Sequence, residues 1–279
     1  MGGVHEKFLE SANKGLAETI RIPRQVRVPL VVGGLGPLAH IPLLEALLTA
    51  NPSATKDQDH PGYGLVSATS ITDRTDALKK QAAGNPNSYY EVGGRILAIA
   101  QQADKEGFDF FVVICNTAHA WREDLEPYLP IPWVPLMGSA VAEIKEKHPN
   151  AERVGILGTD GTMMTGLYTK AVTDAGIFPI NLDLGSPEQN AVMSAIYDTG
   201  FGVKATGTTV SNTSIHLLTE AADYLVSARG AEVIIGGCTE IPPALKGRYK
   251  TVPFIDPVDS LAQAVLKLAM NKNVDPKTF

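Results

Sequence analysis

One order of residues occurs twice in this chain, at a constant offset. In the first copy a helix end at Glu106 is followed by Gly107, the acid Asp109, the apolar run 110–114 and Cys115. In the second, Arg229 is followed by Gly230, the acid Glu232, the apolar residues 233–235, Gly236, Gly237 and Cys238. Glycine, acid and cysteine align without a gap. Each half also opens alike. The apolar run 28–32 leads into Gly33-Gly34-Leu35-Gly36-Pro37, and 153–157 leads into Gly158-Thr159-Asp160-Gly161-Thr162. An internal duplication of this kind predicts two similar units facing each other.

The rest of the pattern sets the class of those units. Short apolar runs at 28–32, 64–70, 110–114, 153–157, 178–182 and 232–235, and one near Ile255, alternate with stretches of helical period. The helical stretches lie at 41–50, 89–106, 163–175, 215–229 and 257–270, and Gly230 is a natural C-terminal glycine. Continuous apolar strands alternating with helices predict α/β domains, each a parallel sheet covered on both faces. The spacing predicts an N-terminal extension over 1–30, a first domain over 31–138 and a second over 139–256. Residues 257–279 are expected to pack back on the first. Right-handed crossovers put strand C-terminal ends on one edge, and both cysteines stand at such ends.

Composition excludes several classes. With 44% hydrophobic and 19% charged residues, a chain of 279 residues is expected to build a folded core. The net charge is −6 and no basic stripe is present, which argues against nucleic acid as a partner. No apolar run approaches the length of a membrane span. The first 30 residues carry charges where a secretory signal needs an apolar core, and 8–20 has loose helical spacing suited to a docking helix or an arm. Two cysteines outside any CxxC or zinc spacing read as free thiols in a cytoplasmic protein, with no metal.

Two strand-end thiols across one cleft suit proton transfer at a carbon centre. One removes an α-proton from one face and the other returns a proton to the opposite face. A thiol's reference pKa, about 8.5, can be lowered by positive charge or by a helix N-terminus. A single cysteine there would more simply be a small buried hydrophobe. Asn116, Thr117 and Thr239 are expected at the starts of the following helices, where they either bind a carboxylate or cap the helix. His119, four residues beyond Cys115, either helps hold a thiolate or anchors the loop. Glu240 would raise the pKa of Cys238, so positioning or plain structure suits it better. The Arg74 fork fits a carboxylate, or else pairs with Asp73 or Asp76 on the surface. Lys204 could add a second cation. Gly34, Gly36 and Ala39 fit a loose dinucleotide turn, but no acid closes the next strand.

Five blocks take the assignment further: Gly33-Gly34-Leu35-Gly36-Pro37-Leu38-Ala39, Asp73-Arg74-Thr75, Cys115-Asn116-Thr117-Ala118-His119, Gly155-Ile156-Leu157-Gly158-Thr159 with Gly161-Thr162, and Gly237-Cys238-Thr239-Glu240. In them the chain resembles the aspartate racemases of the aspartate/glutamate racemase superfamily. The resemblance implies two pseudo-symmetric α/β domains with the active site between them, no pyridoxal phosphate or other cofactor, and a homodimer. It implies that Cys115 and Cys238 exchange the proton of an acidic amino acid, aspartate alone or aspartate and glutamate. It places Arg74 and Lys204 at the distal carboxylate, and Asn116, Thr117 and Ala118 at the other end. Thr75, Thr162 and Thr239 join the binding set, and Gly34, His119 and Glu240 support it. The N-terminal 30 residues, Leu35 in place of Met and His40 in place of Thr depart from the pattern. Alternatives are a maleate isomerase or hydantoin racemase of the same superfamily, a binding protein that kept the cleft, and a thiol redox protein.

Overall fold

A computed structural model describes residues 15–36, 39–276 and 279. Among the described residues eight strands form two four-stranded parallel sheets. The first holds β1 (Pro29–Gly33), β2 (Gly64–Ser67), β3 (Phe110–Val113) and β4 (Trp133–Val134), in the order β2-β1-β3-β4. The second holds β5 (Arg153–Leu157), β6 (Phe178–Asn181), β7 (Val233–Gly236) and β8 (Phe254–Ile255), in the order β6-β5-β7-β8. The two orders are the same, strand for strand. The α/β class with two pseudo-symmetric sheets is therefore what the sequence pattern encodes.

The repeat has a physical cause at each of its three positions. Gly107 and Gly230 both take positive φ, 83° and 76°, where a side chain would strain the helix exit. The acid then ties down the start of the neighbouring strand. Asp109 Oδ2 accepts from Val28 N at 2.7 Å, and Glu232 Oε2 accepts from Glu152 N at 2.7 Å. At the far end, Ile114 N donates to Val32 O at 2.9 Å and Gly237 N donates to Leu157 O at 2.6 Å. Each cysteine follows by one residue, just beyond the ladder.

Strand alternation decides which way the cysteines face. Phe110, Val112 and Ile114 point into an apolar core shared by both sheets, together with Val154, Ile156, Val233 and Ile235. Helices Leu136–Lys147 and Pro257–Met270 lie in that shared layer, packed on each other, and the latter also packs on His40–Thr49. The alternate residues Phe111, Val113 and Cys115 belong to the opposite face, under helix Asn87–Lys105. Ile234 and Cys238 do the same in the second half, beneath Pro187–Tyr197 and Asn212–Ser227.

Several elements differ from the sequence reading. Helices Arg74–Ala82, Leu136–Lys147 and Pro187–Tyr197 had no periodic signal strong enough to announce them. The helix expected over 163–175 is two, Asp160–Thr165 and Leu167–Asp174, because Gly166 turns left-handed at φ 61°. Of the stretch 8–20, residues before Gly15 lie outside the described set, and Leu16–Ile20 is helical. Arg21 just after it pairs with Asp109 at 3.1 Å, so the same carboxylate serves both the strand and this segment. Among the described residues no helix is long and apolar enough to cross a membrane.

Candidate active site

Cys115 and Cys238 line one narrow cavity between the halves, together with Asp73, Arg74, Thr75, Asn116, Thr117, Thr159, Tyr197, Lys204, Thr239, Glu240 and Leu35. Both thiols are free and buried. Within the binding set named from sequence, Arg74, Thr75, Asn116, Thr117, Lys204 and Thr239 reach this cavity. Glu240, expected as a support, reaches it too. Thr162, Ala118, Gly34 and His119 do not line it.

The halves meet closely beside the thiols. Gly161 presents its backbone to Thr117 and Thr75, and a Cβ there would stand 2.8 Å from Thr117 Cγ2 and from Thr75 Oγ1. Thr75, Thr117, Thr159 and Thr162 form a buried hydroxyl cluster. Thr75 Oγ1 donates to Thr159 Oγ1 at 3.1 Å, and Thr117 Oγ1 lies 3.2 Å from both Thr159 Oγ1 and Thr162 Oγ1. Thr162 thus sits one step behind the cavity, where its hydroxyl also donates to Gly237 O at 3.3 Å. On the rim, Lys79 of one half pairs with Asp160 of the other at 2.6 Å.

Around Cys115 the environment is cationic. Arg74 is buried, which overturns the surface ion pair weighed for it. Its guanidinium donates to Ile71 O and Thr72 O at 3.2 Å and to Leu35 O at 2.7 Å. Burial opposes its charge, yet the adjacent Cys115 sulfur, Asp73 and Tyr197 raise its pKa on balance. Three carbonyls occupying the guanidinium leave less of the fork for a substrate carboxylate than the free side chain offers. Arg74 Nε and Asn116 Nδ2 are both buried without a hydrogen-bond partner, which is costly unless a ligand supplies an acceptor. Asn116 Oδ1 accepts from the buried Tyr168 hydroxyl, which fixes the amide with its nitrogen as the free donor.

The His119 ring nitrogens are both engaged by backbone and not by the Cys115 thiol. The residue lies in a 3-10 turn, Thr117–Trp121, and its Nδ1 is 2.9 Å from the Cys115 carbonyl oxygen. Leu136 N donates to its Nε2 at 3.2 Å, so Nε2 is the acceptor and Nδ1 carries the proton. Burial lowers its pKa to about 4, ahead of the opposing hydrogen bond to Cys115. A neutral imidazole supplies no positive charge to a thiolate. Of the two roles weighed, anchoring is the one this geometry supports. The expected helix starts are also modest: Thr239 precedes only the four-residue helix Pro242–Leu245. Ala118 is fully buried in the core cluster that holds Cys115.

Around Cys238 the environment is anionic. Its S–H donates to Glu240 Oε2 at 3.0 Å, and Thr239 Oγ1 donates to the same oxygen at 3.0 Å. Burial, and then Glu240, hold the thiol well above its ordinary pKa, with Lys204 pulling the other way. Lys204 Nζ stands 3.4 Å from Glu240 Oε1 and 5.1 Å from the centre of the Tyr197 ring. Tyr197 in turn donates to Asp73 Oδ2 at 3.2 Å. Gly36, at φ 108°, lets the first half's loop close against the Glu240 carboxylate, and Gly34 at φ 78° lies against Ala68 and Ser67 behind it.

Tyr197 is a cavity residue that sequence reasoning did not single out; Thr159 stood in a block that the resemblance places along the cleft, and Asp73 was named only as a partner for Arg74. Tyr197 ends a helix with no motif around it, and only the docking of the halves brings it to Asp73. Among the described residues no group of three or more His, Cys, Asp or Glu could hold a metal.

The chain belongs to the Asp/Glu/hydantoin racemase family, whose sequence pattern matches residues 32–265. At the level of that family it is an amino-acid racemase. It is 24% identical over 239 residues to the broad specificity amino-acid racemase RacX of Bacillus subtilis (strain 168), covering 85% of this chain and 95% of that one. In fold it is similar to the Picrophilus torridus aspartate racemase, with a TM-score of 0.67 at 23% identity over 90% of this chain and 97% of that one. It is also similar to the glutamate racemase isoform RacE1 from Bacillus anthracis, with a TM-score of 0.61 at 16% identity over 88% and 82% of the two chains.

Proposed function

We propose that the chain interconverts L- and D-aspartate by a two-base mechanism in which Cys115 and Cys238 flank the α-carbon. The observation that carries this reading is the arrival of both thiols, from equivalent strand ends of the two halves, in one cavity. Cys115, beside Arg74, acts as the thiolate. It takes the α-proton, forming an S–H bond, while the C–H electron pair passes into the α-carboxylate. Cys238 then gives its S–H proton to the opposite face of the α-carbon and is left as thiolate. The reverse direction exchanges the two roles. Both proton transfers are made by side chains of this chain, so the scheme calls on no cofactor.

The unpartnered donor Asn116 Nδ2 suits the α-carboxylate, where charge grows as the proton leaves. Arg74 Nε and Lys204 are the cations available to the distal carboxylate. The test is incubation of each enantiomer of aspartate in D2O, read by chiral chromatography and α-deuterium content. Both enantiomers should appear, with deuterium in the newly formed one. Tight aspartate binding without exchange would instead favour a binding protein. Turnover of maleate without loss of aspartate optical activity would favour the isomerase of the same superfamily.

A further inference from the structure

A second cavity adjoins the catalytic one. It has a volume of about 310 Å³, at the lower end of the range for small-molecule sites. The two cavities share Lys204, Thr239 and Glu240 as a common wall. Beyond that wall the lining is mostly apolar: Ala39, Ile41 and Pro42 from the first half, Val203 and Pro243 from the second.

The charge balance of the catalytic cavity explains why an apolar extension belongs there. Its ionisable residues other than the cysteines and Tyr197 are Arg74, Lys204, Asp73 and Glu240, a formal sum of zero. One thiolate makes the site negative. Lys204 is already engaged by Glu240 at 3.4 Å. A dicarboxylic amino acid brings net negative charge into this site and must draw Lys204 away from its partner. A neutral zwitterion adds no net charge, and a side chain that passes the Lys204–Glu240 pair gains by leaving water for an apolar wall.

We infer that the enzyme also racemises neutral amino acids with apolar side chains, seating the side chain in the pocket beyond the Lys204–Glu240 pair. This extension rests on the two-cysteine reading and concerns only what the site accepts. Side chains of leucine or methionine size suit a space several times the roughly 30 Å³ of one water.

The full chain is incubated in D2O with L-leucine, L-methionine and L-aspartate in separate reactions. The expected result is α-deuterium and D-enantiomer from leucine or methionine as well as from aspartate. Aspartate turnover with no exchange in either neutral substrate overturns the inference and leaves the two-cysteine reading standing. No exchange in any substrate overturns both. Two variants at exposed positions of the pocket, Ile41→Glu and Thr208→Trp, then locate the side chain. Each should lower the ratio of leucine to aspartate kcat/KM by ten-fold or more. Neutral turnover with an unchanged ratio in both variants overturns the assignment of the pocket.

Discussion

The Cys238 thiol donates to Glu240 Oε2 at 3.0 Å, whereas the residue in the equivalent place after Cys115 is Thr117, which carries no charge. The two thiols of a duplicated scaffold therefore sit in opposite electrostatic surroundings. Burial and the Glu240 carboxylate keep Cys238 protonated, and Arg74 lies against Cys115. Replacing Glu240 by Gln removes the negative charge and releases Lys204, and both changes lower the Cys238 pKa. Alkylation of Cys238 by a small reagent near neutral pH should rise several-fold in E240Q, each pKa unit being about ten-fold in thiolate fraction at low occupancy. Peptide mass spectrometry of the alkylated protein checks this. An unchanged Cys238 rate would mean that the carboxylate does not govern the thiol.

Removing one thiol separates deprotonation from reprotonation. In Cys238→Ala, Cys115 can still exchange the α-proton of the enantiomer that presents it, but nothing delivers a proton to the other face. Racemisation should fall by at least about 10³-fold, as when a positioned acid or base is lost. Solvent deuterium uptake should persist in only one enantiomer. Cys115→Ala should show the complementary pattern with the other enantiomer. Full racemisation by either variant, read by chiral chromatography, would contradict the two-base scheme.

Gly161→Ala tests whether the halves must approach this closely. The added methyl stands 2.8 Å from Thr117 Cγ2 and Thr75 Oγ1, so the threonine cluster has to shift. Overpacking of this kind costs about 1–3 kcal/mol. Urea denaturation should show that loss, and turnover should fall by ten-fold or more because the two thiols move apart.

His119 makes stability depend on pH. Burial disfavours the charged ring and pushes its folded pKa down to about 4, below the ordinary histidine value of about 6.5. The unfolded chain therefore binds more protons between these values. The contribution of His119 is fully present above about pH 6.5 and is lost as pH falls toward 4. Between pH 7 and pH 5 the loss is about 2 kcal/mol. His119→Asn should be less stable at pH 7, since the ring's two hydrogen bonds are disturbed, and should lose that part of the pH dependence. Denaturant midpoints at the two pH values decide it.

Much of the fold was legible because it rests on local rules. Buried parallel strands read as unbroken apolar runs, and 110–114 and 153–157 coincide with β3 and β5 to within a residue. Among the missed helices, Arg74–Ala82 has a polar sequence, RTDALKKQA, that shows little periodicity. Its first residue, Arg74, was legible as a carboxylate-binding candidate with a surface ion pair as the alternative, and its burial against Cys115 was not legible at all.

By itself, the sequence determined the duplication, the parallel α/β class and the placing of each cysteine one step beyond a central strand. Those follow from residue periodicity, from left-handed glycines and from acids that bond to nearby backbone. Only the tertiary structure decided what surrounds each thiol. His119 turned to a carbonyl and a backbone N–H, Arg74 to three carbonyls and Cys115, and Glu240 to Cys238 and Lys204. The physical reason is that charge and burial at a cleft are set by side chains from both halves. Lys204 and Tyr197 each stand more than 120 residues from the Arg74 and Asp73 region they complete.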